Sequence, residues 1–176
     1  DTAYQMLQST DGERFWLDIQ ATEPGADFMF TYFIDGEIEI TDPYSELVLD
    51  FYNDHLIPDS TFPDIPDFPS GASPQYVTWV RNTAPEYTWE VEDFQAPEPA
   101  DLIIYEMWLM NFVEDQSFQS LTDTLDYFER LGVNAIELMP IHDFIYSESW
   151  GYDPGHHMAL EKAYGSPEAF KRFVDE

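Results

Sequence analysis

The chain contains no cysteine. That excludes disulfides, thiolate metal sites and cysteine nucleophiles. Basic residues are scarce too: six Lys and Arg stand against 36 Asp and Glu, for a formal charge of −30. Phosphate backbones are gripped by clustered Lys and Arg, so no nucleic acid partner is expected. An anionic membrane surface is disfavoured for the same reason. No apolar run reaches the roughly 18 residues of a membrane span. No basic segment followed by an apolar one occurs, so no signal peptide is expected within these residues.

What is present suits a folded chain. Hydrophobic residues make up 44% and aromatics 17% of 176 residues, enough for a core. At about 150 residues per domain the length corresponds to one domain, or one and a piece. An acidic, aromatic-rich surface would suit neutral polyols such as sugars, although aromatics also fill cores. The acids are dispersed between Phe, Tyr, Trp and Leu, not gathered in a tail. Such charge repels itself in dilute buffer. Molar salt shortens the screening length to about 3 Å, so a salt-adapted protein is expected.

Residues 1–43 read as antiparallel β. Phe28-Met29-Phe30-Thr31-Tyr32-Phe33-Ile34 is aromatic and β-branched, and Glu37-Ile38-Glu39-Ile40 alternates. Asp35-Gly36 between them is a hairpin signal, and Asp11-Gly12 marks a second turn. These strands suggest the end of an immunoglobulin-like β-sandwich. Residues 44–100 hold most of the 13 prolines, which predicts an extended connector with short strands at most. Trp79, Tyr87, Trp89 and Phe94 would pin it to a neighbouring domain or serve as sugar platforms.

From residue 101 the pattern is α/β. Leu102-Ile103-Ile104-Tyr105 predicts a strand buried on both faces. Leu121, Leu125, Phe128 and Leu131 form one helical stripe ending at Gly132. Val133–Met139 is a second strand, closed by Pro140. Ser166-Pro167-Glu168 starts a helix with Ser as N-cap and Pro at its first position. Phe170, Phe173 and Val174 would be its apolar face. The order implies a parallel pair with a right-handed crossover.

About 25 residues lie between Pro140 and Ser166 without a clear period, where α/β connections usually take about 2–6. They leave the C-terminal end of a parallel strand, where such folds place their sites. The segment holds His142, Asp143, Tyr146, Trp150, Tyr152, Asp153, His156 and His157. It is either a ligand site or a surface excursion packed on the connector. His156 and His157 should point opposite ways, which favours packing or hydrogen bonding over a metal pair.

Several segments resemble the α-amylase superfamily, glycoside hydrolase family 13. They are Leu131-Gly132-Val133-Asn134-Ala135-Ile136-Glu137-Leu138-Met139-Pro140, Ser149-Trp150-Gly151-Tyr152-Asp153-Pro154, Ala163-Tyr164-Gly165-Ser166-Pro167-Glu168, and Ile104-Tyr105-Glu106. Bacterial α-amylases with an N-terminal sandwich are the nearest likeness, then branching enzymes and trehalose-forming hydrolases. Two stretches depart from the family pattern: Met107-Trp108-Leu109-Met110-Asn111-Phe112 and Gly155-His156-His157-Met158-Ala159-Leu160.

The resemblance implies that residues 101–176 are the first two βα units of a (β/α)8 TIM barrel. It implies retaining hydrolysis of α-1,4-glucosidic bonds in starch- or glycogen-like α-glucans by an aspartate and a glutamate. Those acids lie later in the family's sequence, so no catalytic residue is expected here and the chain alone should be inactive. Tyr152 matches a tyrosine that stacks on the sugar, flanked by Trp150 and Asp153; His142 completes the expected substrate-binding set. No metal ligand is expected here, although family members often bind calcium. A branching enzyme or other transglycosylase is one alternative, and a non-catalytic glucan-binding protein on the same fold is another. An extracellular or periplasmic setting in a bacterium is expected.

Overall fold

The computed structural model describes residues 3–19, 25–72, 75–145 and 149–176. Two short strands, β1 (Leu7–Gln8) and β2 (Phe15–Trp16), pair antiparallel across the Asp11-Gly12 turn. The run at 28–34 divides at Thr31 into β3 (Phe28–Phe30) and β4 (Tyr32–Ile34), because its halves take different partners. β4 pairs with β5 (Ile38–Ile40). Asp35 and Gly36 both have positive φ, 52° and 72°, as a type I′ hairpin turn requires.

The proline-rich stretch is more than a connector. It supplies β6 (Val48–Asp50) and β7 (Tyr76–Val80), and the sheet order is β3-β7-β6. β7 is therefore a central strand, paired with β3 through Phe28↔Val80 and with β6 through Val48↔Thr78. Leu47, Leu49, Phe62 and Trp79 form a buried core on this sheet. The prolines flank these strands and leave their donors free, so the sheet forms despite the composition. Trp79 is in this core and Tyr87 donates to Asp175 Oδ2 at 3.0 Å. Trp89 and Phe94 are exposed, the latter to 74%, contrary to the expected pinning role.

The α/β portion begins with β8 (Ile104–Met107) and continues through α1 (Leu109–Phe112), α2 (Phe118–Thr122) and α3 (Leu125–Leu131) to β9 (Ala135–Leu138). β8 and β9 are parallel, with Ile104 opposite Ala135 and Met107 opposite Leu138. One face packs on a cluster around Met107, Phe118, Leu121 and Phe128. The other does not: Ile104 and Glu106 are exposed, which corrects the expectation of a strand buried on both faces. The single stripe is two helices, broken where the Thr122 and Thr124 hydroxyls donate to the carbonyls of Phe118 and Leu121. Such bonds compete with helical continuation. Leu131 consequently lies exposed beyond the stripe.

The long segment after β9 is also more regular than its sequence suggests. β10 (His142–Phe144) and β11 (Pro154–Leu160) form an antiparallel pair with an irregular register. Ser166 then caps α4 (Pro167–Asp175), its Oγ accepting from Ala169 N at 3.2 Å. Phe170 and Phe173 pack on the α/β core, while Val174 is exposed. Arg81, just past β7, reaches Glu168 in the first turn of α4 through Nη1 at 3.0 and 2.9 Å. No helix among the described residues is long and apolar enough to cross a membrane.

Candidate functional site

The parallel strands end next to each other, β8 at Met107 and β9 at Leu138. Trp108 follows the first and Pro140 lies just past the second. The turn Ser149-Trp150-Gly151-Tyr152-Asp153 folds back over both. Gly151 has φ of 85°, and a Cβ there would stand 2.2 Å from the carbonyl oxygen of Pro140. Only glycine satisfies both the left-handed backbone and this approach. Ser149 Oγ accepts from Gly151 N at 2.9 Å and is hydrogen-bonded to Asp153 Oδ1. The indole N–H of Trp108 donates to the Ser149 carbonyl at 3.1 Å. Trp108 and Trp150 meet edge-to-face, centroids 6.2 Å apart at 70°.

This turn presents aromatic surface to solvent. Trp150 is 63% and Tyr152 66% exposed, although apolar bulk of that size usually buries. Asp153 sits beside them, its carboxylate oriented by Ser149. Three of the four expected binding residues are thus brought together. His142, exposed at the start of β10, makes no side-chain hydrogen bond among the described residues and stands apart from the turn in register, opposite Leu160. Tyr146 lies outside the described residues.

Behind the turn is a buried polar cluster. His156 is buried and its Nδ1 lies 3.0 Å from Asp143 Oδ2. Its Nε2 meets Thr41 Oγ1 at 2.6 Å. His157, its neighbour, is exposed, as alternation along β11 requires. Glu161 accepts from Ala163 N at 2.8 Å and Phe144 N at 3.4 Å. Burial pushes its pKa up to about 7, against the pull of Lys162. Burial alone would lower the Lys162 pKa, but the carboxylates of Asp54, Asp143 and Glu161 outweigh it and raise the value. Burial likewise raises Tyr76.

Trp108, Asp54, Glu161 and Lys162 are not singled out by any motif in the sequence. Lys162 carried a signal, being one of two lysines in an acid-rich chain. Among the described residues no three His, Asp or Glu side chains converge as a cation site would need.

No family model matches the chain. By sequence it is similar to the malto-oligosyltrehalose trehalohydrolase of Saccharolobus solfataricus, 33% identical over 114 residues, covering 64% of this chain and 20% of that one. It is similar to the malto-oligosyltrehalose trehalohydrolase of Rhizobium sp. (strain M-11), 28% identical over 161 residues, covering 91% and 23%. By structure it is similar to a candidate alpha amylase from Salmonella typhimurium, with TM-score 0.71 and 26% identity, covering 97% of this chain and 25% of that one. The chain thus spans about a fifth to a quarter of the length of the relatives it matches.

A parallel βα pair with an aromatic turn at its strand ends defines an α/β protein with a candidate site on the C-terminal face of the strands. Within that class the chain is similar to malto-oligosyltrehalose trehalohydrolases in sequence and to an alpha amylase in structure.

Proposed function

We propose that this chain is the leading portion of an α-glucan-acting glycoside hydrolase. Residues 101–176 supply the first two βα units of its (β/α)8 barrel, and the turn at 149–153 forms one wall of the substrate cleft. The observation that carries this reading is the exposed Trp150–Tyr152 pair, fixed over the ends of β8 and β9 by Gly151 and Trp108. Aromatic faces bind neutral sugar rings by shape without charge, which fits a chain of −30. The exposed Ile104–Glu106 face of β8 suits further barrel structure packed against it.

The substrate is a malto-oligosaccharide. Hydrolysis of internal α-1,4 bonds, as in an α-amylase, is one form of the reaction. The names of the sequence relatives favour a trehalose-capped malto-oligosaccharide instead. The retaining pair of carboxylates belongs to the later barrel strands, so the 176-residue chain by itself should not turn over soluble starch.

Tyr152→Ala in the complete protein tests the reading. A loss of at least about tenfold in kcat/KM on maltoheptaose or maltoheptaosyl-trehalose is expected, since covering an aromatic ring contributes about 1.5–3 kcal/mol. Unchanged kinetics would remove Tyr152 from the site. Release of trehalose would identify the trehalohydrolase reaction, and new α-1,6 links a branching enzyme.

A further inference from the structure

Trp108 stands where the chain leaves β8, half-buried. A half-buried indole N–H needs an acceptor. This one donates across to the Ser149 carbonyl at 3.1 Å and lays its ring against Trp150 at 6.2 Å. Ser149 passes the constraint on, because its Oγ holds Gly151 N and Asp153. The five-residue turn is therefore clamped at two points. Gly151 seats it on Pro140 after β9, and Ser149 seats it on Trp108 after β8. Tyr152 itself makes no hydrogen bond among the described residues and is 66% exposed. Its position is consequently inherited from the backbone that Trp108 holds.

We propose that Trp108 is a positioning residue for sugar binding, fixing the Trp150–Tyr152 wall through the Ser149 carbonyl. The inference rests on the reading of that wall as a glucan platform. An aromatic surface that wanders by an ångström loses stacking, and misplacement of that size is felt strongly in enzyme sites.

The test uses the complete protein, with Trp108→Phe, Trp108→His and Tyr152→Ala measured side by side. The readouts are the dissociation constant for maltoheptaose, the melting temperature and the far-ultraviolet circular dichroism. The coupled indoles should give an exciton couplet that Trp150→Phe abolishes, and a parent without it would overturn the proposal. Trp108→Phe keeps a ring and loses the donor, so affinity should fall about fivefold to tenfold, the share of one hydrogen bond. Trp108→His, which keeps an N–H, should recover part of that loss at an equal or lower melting temperature. If Trp108→Phe binds like the parent while Tyr152→Ala does not, Trp108 has no positioning role and the platform reading survives. If Tyr152→Ala also binds like the parent, the platform reading falls and takes the proposal with it. Should Trp108→Phe fail to fold, Trp108→His binding no better than Trp108→Leu would overturn it.

Discussion

Lys162 Nζ lies 3.1 Å from Asp54 Oδ1, with Lys162 only 2% exposed. Asp54 follows β6 of the first sheet, whereas Lys162 follows β11 of the α/β portion. A buried ion pair thus joins the two, alongside the Thr41–His156–Asp143 chain. Removing one partner of such a pair leaves an uncompensated buried charge, at about 3–5 kcal/mol. Lys162→Met should therefore lower the unfolding free energy by about that amount at neutral pH, read from urea denaturation. A change below about 1 kcal/mol would mean that water reaches Asp54 and Glu161.

Glu161 should make stability depend on pH. Its pKa in the fold is about 7, against an ordinary 4.5, because burial penalises its charge. Between those values the native state holds a proton that the unfolded chain has released. The contribution is fully present below about 4.5 and is lost as pH rises through about 7, on the order of 3 kcal/mol in all. Parent and Glu161→Gln unfolding curves across this range should diverge, with the parent falling and the variant flatter. Parallel curves would show that Glu161 titrates normally.

Gly151→Ala should misplace the aromatic turn. The added Cβ would overlap the Pro140 carbonyl at 2.2 Å and force a residue with φ of 85°. Left-handed backbone alone costs a non-glycine residue about 1–2 kcal/mol. The expected result is a loss of maltoheptaose affinity at least as large as that of Tyr152→Ala, measured calorimetrically. Parent-like affinity would show that the turn is not seated on Pro140 in solution.

The charge of −30 should make stability depend on salt. Screening at 1 M confines charge interactions to about 3 Å, which relieves repulsion among the dispersed carboxylates. The melting temperature should rise from low to molar potassium chloride. A flat or falling curve would rule out a salt-adapted chain.

What the sequence disclosed was mostly local. The Asp35-Gly36 hairpin, the Ser166 cap and the helix end at Gly132 are settled by residues a few positions apart. The β8–β9 pairing followed from order and handedness. The central place of β7 did not, because Phe28 and Val80 pair across a proline-rich stretch whose composition argues for a linker. Within the site, Trp150, Tyr152 and Asp153 were legible from a short motif. Trp108 was not, since its link to Ser149 depends on two strand ends meeting in space. Lys162 could be noticed as rare but not as buried.

The position of β7 also sets an order of events during synthesis. β3 leaves the ribosome early and has no neighbour until residues 76–80 follow it. Non-local pairing of this kind is slow to close. For about 50 residues of translation the aromatic β3 segment waits unpaired, exposed to other nascent chains. The carboxylates along that stretch, from Asp50 to Asp67, place like charge beside it while it waits, and like charge discourages chains from associating.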